Sequence, residues 1–419
     1  MAAGRASRRE LLRLSLEPAA RTAHGRELTL AAWAARSLRA HLAAAIRAEV
    51  SRFHVQIANA PVLLYTSAGM ETAIIGLARS GRTTIFNALT GQENPTGDSG
   101  GGKKQAHLAE VRVPDDRLDR LAALYSPRKL THASVRFRDL ALEHGENGGI
   151  ASSSLAEVRG TDAVTIVVRA FRDDSVVHPL KDPAPLGDLR TVFDSLVFGD
   201  YEIAEKRIAR LDKEAKRDGR EYHVLKQAAA ILGAGKPLGR AFFSSEDEKI
   251  FAGFGFLTSR PLFAVVNTGE ATIPHDDLLK EAASLGIDAF PIRGDMEMEI
   301  SRLAPGDQKE FLRDLGIEEP ARNRFLRHVY GTLHLMSFFT VGEDECKAWS
   351  IPEGTIAVRA AGEIHSDLAK GFIRAEVVPW KDILDNGGYQ QAKKANKVRL
   401  EGKEYVVKDG DVLLIRFNV

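Results

Sequence analysis

The chain has 419 residues, a net charge of +1, and 44% hydrophobic and 27% charged residues. That length is too great for one ordinary core and predicts two or three domains, while near-neutral charge gives no global pull toward nucleic acid, so any basic surface is local. No run approaches the roughly 18 apolar residues of a membrane span, and the single Cys346 excludes an internal disulfide and a multi-cysteine zinc site, as expected in a reducing, cytoplasmic compartment.

Residues 1–69 contain no Lys and no Asp, and their helical patches, such as Leu28 to Val50, carry no partner signal. Three readings stand: an Arg-rich, acidic-poor transit peptide, a helical extension packed on the core, or upstream sequence ahead of a start at Met70. The abrupt change of composition at Met70 favours the third. From there Thr72–Ile75 reads as a strand, a Gly-rich loop follows, and Thr84–Thr90 has helical spacing. Residues 91–106 form a polar, Gly-rich surface loop. Val135–Arg138 alternates like a strand and ends in Asp139, and residues 143–154 are again polar and Gly-rich. Ala163–Val168, Pro261–Val266 and Ala289–Ile292 are three more strands. Their alternation with helices predicts a parallel sheet covered on both faces.

Residues 188–250 interrupt this pattern with two helical stretches broken at Asp218-Gly219, read as an antiparallel hairpin whose charges form a solvated face. A helical stretch at Glu310–Leu335 leads into a compact, mostly β module. It has expected strands at Ile356–Val358, Phe372–Val378, Tyr405–Val407 and Val412–Phe417. One helix is expected, at Trp380–Asp385 or in the stretch just after it.

Three motifs carry chemistry. Gly76-Leu-Ala-Arg-Ser-Gly-Arg-Thr83 lies between a strand and a helix, where backbone N–H groups surround a phosphate. Arg79, Ser80, Gly81, Arg82, Thr83 and Thr84 are the expected nucleotide contacts, with the Thr83 hydroxyl on Mg²⁺. Arg82 stands where the standard loop has Lys, and its planar fork is not equivalent to a compact ammonium. Asp139, ending a strand, is the second candidate metal residue; a turn-capping role fits it equally. Asn267-Thr-Gly-Glu270 follows a strand where guanine readers carry Asn-Lys-x-Asp. With Glu270 and Thr268 in place of Asp and Lys, adenine is favoured over guanine, though a plain polar turn also fits.

Taken in order from Met70 to Val419, these residues resemble the YchF family of the Obg-related translation-factor GTPases. Thr84–Thr90, Val113–Asp119 and Asn267–Glu270 carry the resemblance. So do Phe338–Thr340, Lys347–Trp349, Ala360–Asp367, Lys370–Glu376, Val407–Asp411 and Phe417–Val419, which look like the family's closing TGS domain. The resemblance implies an α/β, Ras-like P-loop NTPase domain (70–187 and 255–336) after the 1–69 extension, with an inserted helical hairpin (188–254) and a C-terminal β-grasp, or TGS, domain (337–419). It also implies a monomeric, cytoplasmic protein that prefers ATP to GTP, hydrolyses it slowly with Mg²⁺, and binds the ribosome or its RNA.

Departures from the family gather at the γ-phosphate. They are Arg82, Leu142 in place of a switch Gly, Lys103 near the expected switch Thr, and Ile166 where members carry a His proposed to aid hydrolysis. His144 is nearby and could position water, but reads more simply as a loop histidine. The alternative function is therefore a catalytically degenerate NTPase acting as a ribosome or RNA adaptor. For RNA, Arg359, His365, Lys370, Arg374, Lys393, Lys394, Lys397, Arg399 and Lys403 would track phosphates if they share a face. Phe372 and Trp349 read as core.

Overall fold

The computed structural model describes residues 70–96, 106–140, 142–145, 148–239 and 243–418. The expectations for residues 1–69 and Lys103 lie outside the described residues. In chain order the principal elements of the first part are β1 (Glu71–Gly76), α1 (Arg82–Thr90), β2 (His107–Arg112), α2 (Asp116–Tyr125), β3 (Lys129–Thr131), β4 (Ser134–Asp139), β5 (Ala163–Ala170), α3 (Pro185–Lys213), α4 (Arg220–Gly233), β6 (Leu262–Thr268), α5 (Asp276–Ser284), β7 (Asp288–Arg293), α6 (Gly294–Arg302) and α7 (Ala321–Thr332). The last part contains β8 (Leu335–Thr340), β9 (Glu345–Pro352), α8 (Ala357–Ile364), β10 (Phe372–Pro379), α9 (Trp380–Asn386), α10 (Tyr389–Lys394), β11 (Arg399–Glu401) and β12 (Asp411–Phe417). None of the described helices is long and apolar enough to cross a membrane.

The first sheet has the order β2-β4-β1-β5-β6-β7, and only β2 is antiparallel to its neighbour. Every residue of β1 and of β5 is buried, as befits central parallel strands covered on both faces. After β1 the chain builds β2 and β4 on one side and then crosses to β5 on the other, so the loop after β1 lies at the switch point, where α/β sheets open a crevice beyond their carboxyl ends.

Two apolar layers cover this sheet. One face buries Ile75, Ile166, Val168 and Ala264 against Leu189, Val192, Phe193 and Leu196 of α3. The first half of α3 therefore belongs to the main core, and the helix starts at Pro185, three residues ahead of the expected insertion. Pro fits there because its missing N–H is one that a helix start leaves unbonded anyway. The free hairpin is the distal half of α3, where Ala204, Ile208 and Leu211 pack on Leu225, Ala228 and Leu232 of α4. The other face buries Ile74, Val265 and Phe137 under Phe325 and Val329 of α7. That core continues through Leu118 and Leu121 of α2 to Phe339, Val412 and Ile383 of the last part.

The second sheet has the order β11-β10-β12-β8-β9-β3. Its edge strand β3 comes from the first part of the chain and pairs in parallel with β9. Two sequence expectations are corrected here. Ile356–Val358 is not a strand: Ile356 makes one bridge to Val406, and Ala357 opens α8. Tyr405–Val407 has only that bridge. The reason is packing: Ala357, Ala360 and Ala361 bury one face of a helix against Phe372, Ala375 and Val377. The module also carries four helices rather than one, namely α8, α9, α10 and Ser366–Lys370.

Asp200 of α3 holds the hairpin to the main domain. It is fully buried and accepts from Arg159 Nη1 at 2.6 Å, Leu257 N at 3.1 Å, and Thr258 N and Oγ1 at 2.8 Å each. Asp200→Ala strands the Arg159 guanidinium and two amides, and is expected to cost about 3–5 kcal/mol in urea unfolding. A loss below about 1 kcal/mol would show that the anchor is dispensable.

Candidate functional site

β1 delivers the chain into a tight turn at the switch point. A Cβ at Gly76 would lie 2.4 Å from Val167 O on β5, so only glycine lets the two backbones pass. Arg79 takes the left-handed conformation at φ 61°, and Gly81 does so at φ 88° as the N-cap of α1. α1 has no side-chain cap and no acidic residue in its first turn. By contrast, Asp115 caps α2, with Asp116 and Asp119 following in its first turn. The first amides of α1 are thus left for an external anion, which the helix dipole also favours.

Asn267, at the end of β6, is 4% exposed. Its Nδ2 donates to Ser80 O at 3.1 Å, and its Oδ1 accepts from Gly294 N at 3.3 Å. One side chain thereby ties the phosphate loop to the turn between β7 and α6. Glu270 stands at the rim, 88% exposed, with Arg293 Nη2 3.4 Å from its carboxylate. Sequence reasoning missed Gly294 and Arg293. Their signal was an Arg-Gly pair directly after the strand Ala289–Ile292, the Gly at a point where a Cβ would meet Asn267 Oδ1 at 2.7 Å. It also missed Arg169, buried at the end of an apolar run. Its guanidinium donates to the carbonyls of Phe171, Asp173 and Val176, and so shapes the loop whose Val177 O accepts from Arg79 Nη1.

The two candidate metal residues come together. Thr83 Oγ1 donates to Asp139 Oδ2 at 2.9 Å, and Asp139 is 5% exposed. Asp139 Oδ1 has no partner among the described residues. An orphaned carboxylate oxygen beside a hydroxyl at the mouth of a phosphate loop fits Mg²⁺, which takes one or two protein oxygens and completes its shell with phosphate and water. No cluster of three or more His, Cys, Asp or Glu side chains able to hold an ion by themselves occurs among the described residues.

The γ-phosphate side is built differently. Arg82 Nη1 donates to Leu140 O at 2.6 Å. Burial pushes the guanidinium pKa down, against the pull of Asp139. The Leu142 amide is already bonded to Leu140 O at 3.0 Å, and its side chain is 3% exposed in the core. Ile166 is wholly buried in β5. His144 sits against the phosphate loop itself, with Nε2 3.2 Å from Gly76 O. A carbonyl only accepts, so Nε2 carries the hydrogen there and braces the loop.

The basic residues of the last part do not share one face. Lys393 and Arg416 pair with the buried Glu376, Arg374 is in register with Arg416, and the exposed Leu400 and Leu414 are in register with Glu376. Lys394 is exposed on α10, and Lys397 pairs with Asp382 at 3.5 Å. Arg359 and Arg399 belong to the opposite face: Arg359 lies on α8, and Arg399 is in register with Val377 and bonded to Tyr405 OH. Lys370 pairs with Asp367 at 3.4 Å, close to His365, and Lys403 is exposed. Phe372 is buried, and Trp349 stacks on Phe338.

Residues 335–418 match the YchF-GTPase C-terminal family, described as a protein of unknown function (DUF933). The chain is 35% identical to the Ribosome-binding ATPase YchF of Bacillus subtilis over 364 residues, covering 84% of this chain and 100% of that protein. It is 36% identical to the Haemophilus influenzae protein of the same name, with the same coverage. The solved structure of the Schizosaccharomyces pombe YchF GTPase superposes with a TM-score of 0.73 at 26% identity, over 83% of this chain and 98% of that one.

Asn267→Ala leaves Ser80 O and Gly294 N without their buried partner. It is expected to lower stability by about 1–3 kcal/mol and to weaken nucleotide binding by about tenfold or more, read by denaturant unfolding and by titration with a fluorescent ATP analogue. Unchanged affinity would show that the clamp does not shape the loop.

Proposed function

The chain belongs to the YchF family, and on that premise we propose that it binds ATP in preference to GTP at the Gly76–Thr83 loop, hydrolyses it slowly, and docks on the ribosome according to its nucleotide state. The observation that carries this reading is the Asn267 clamp, which joins the phosphate loop to the rim where a base would lie. The amides of the loop and of the first turn of α1 bind the phosphates, and Gly76 and Gly81 give the backbone room to wrap them. Thr83 and Asp139 would hold Mg²⁺, which supplies charge neutralisation to the bound phosphates. At the rim, Glu270 would accept from an exocyclic amino group; Thr268 and Glu270 stand where guanine readers carry Lys and Asp, and Arg293 Nη2 lies 3.4 Å from the Glu270 carboxylate. The relatives named above are called ribosome-binding ATPases. We place this chain with them as a cytoplasmic monomer, with residues 337–419 as a TGS module. Arg374, Lys393, Lys394 and Lys397 form the candidate ribosomal face, and Lys370, Arg359 and Arg399 lie away from its centre.

A second reading is favoured by the Leu142 amide, which is spent on Leu140 O and so withheld from a γ-phosphate. In that reading the chain is a degenerate NTPase that binds nucleotide and serves as a ribosome or RNA adaptor.

Phosphate release by the full chain with Mg²⁺ and ribosomes, against an Arg82→Ala control, separates the two. Turnover above the control supports the ATPase, and none supports the adaptor. Titration calorimetry is expected to give ATP at least about fivefold tighter than GTP, with the preference reduced by Glu270→Ala. Equal affinities would remove the assigned base reading. In ribosome pelleting, Arg374→Glu with Lys394→Glu is expected to lower binding and flatten its salt dependence. Full binding by that double variant would move the contact elsewhere.

A further inference from the structure

We propose that Arg82 sets the metal requirement of this site. Its guanidinium serves as the fixed counter-charge beside Asp139, so nucleotide binds nearly as well without Mg²⁺ as with it. This rests on the nucleotide reading above and concerns how the same loop balances charge.

A buried guanidinium has to be matched by nearby negative charge or acceptors. Arg82 has one carbonyl acceptor, Leu140 O at 2.6 Å, and the neighbouring charge of Asp139. The loop therefore holds a fixed positive charge set against Asp139 before any ligand arrives, and a phosphate adds further acceptors for the guanidinium. Among the described residues only Nη1 is committed, to Leu140, and an Arg fork can present further N–H groups to phosphate oxygens in one plane. The lysine of a standard loop is a compact point charge that reaches into the phosphates, with the metal neutralising the carboxylate separately.

Here Arg82 is bonded to the carbonyl of Leu140, the residue after Asp139, and Asp139 is bonded to Thr83, the residue after Arg82, so the two charges are held on neighbouring positions at the mouth of the loop. A divalent ion placed beside Asp139 would be repelled by Arg82, which lowers what the ion adds to binding. The Leu140–Leu142 segment reinforces this. Leu140 and Leu142 are buried at 1% and 3% exposure, and the Leu142 amide is bonded to Leu140 O. The carbonyl that holds Arg82 is thereby fixed in the core and cannot follow a metal-centred rearrangement without unpacking two leucines.

The experiment is titration of the full chain with a fluorescent ATP analogue in excess MgCl₂ and in excess EDTA. The wild type is expected to change affinity by less than about threefold between the two buffers, while Arg82→Lys weakens by about tenfold or more in EDTA. Thermal melting of both proteins confirms folding, and Arg82→Gln, which keeps a polar side chain without the charge, serves as a second variant with the same expected metal dependence. A wild type that loses about tenfold or more in EDTA overturns the proposal, as do folded Lys and Gln variants with the wild type's small dependence. Absence of binding by the wild type in both buffers overturns the nucleotide reading itself, and this proposal with it.

Discussion

A methyl group added at Gly81 would lie 2.1 Å from Asn267 Nδ2. That distance measures how closely the loop after β1 is pressed against the end of β6, and the rest of the site depends on it. The approach lets one buried amide bond Ser80 O and Gly294 N together. It places the first turn of α1 over the mouth of the sheet, and so brings Thr83 within 2.9 Å of Asp139 on β4. Remove the approach and the loop, the rim and the carboxylate have no shared reference. The glycines are thus required at this site by steric contact with named atoms, over and above flexibility.

Much of this was legible before any coordinates. Central parallel strands are buried on both faces, so β1, β5 and β6 read as short, mostly apolar runs, and the Gly-rich turn between β1 and α1 stood out against them. Other features depend on distant packing and were not legible. Ile356-Ala-Val358 has the composition of a strand, and it is helical because Phe372, Ala375 and Val377 arrive to cover its alanines. The basic residues of the last part were expected to act together if they shared a face. Register across β10, together with the bulge between Phe372 and Arg374, sends Arg374 to one side and leaves Arg399 on the other. Which carbonyl Arg82 would find was likewise invisible, because Leu140 is 58 residues away in sequence.

The two sheets are also less separate than the sequence divisions suggest. α2, which follows β2 directly, is held to the last part through Arg117. Its guanidinium bonds Asp115 and Asp409, and lies 5.3 Å over the ring of Phe339. Asp409 in turn accepts from Ser337 N at the start of the second sheet. The same apolar layer runs from beneath the first sheet to Val412 and Ile383. A displacement of the segment that carries β2 and α2 is therefore felt at β8 through an ion pair, a cation–ring contact and a shared core.

The short strand β3 has a further consequence for how the molecule is made. Thr131 and Glu345, bonded across β3 and β9, are 214 positions apart in the chain. During synthesis β3 emerges long before its partner exists, so the last sheet cannot close until β9 and the strands that follow it have left the exit tunnel. Such pairing has high contact order, and its loop-closure entropy is met late in folding. Until then β3 is an unpaired edge of three residues, too short to template aggregation effectively. Brevity makes the strand easy to overlook in the sequence, and the same brevity lets a nascent chain carry it safely while it waits.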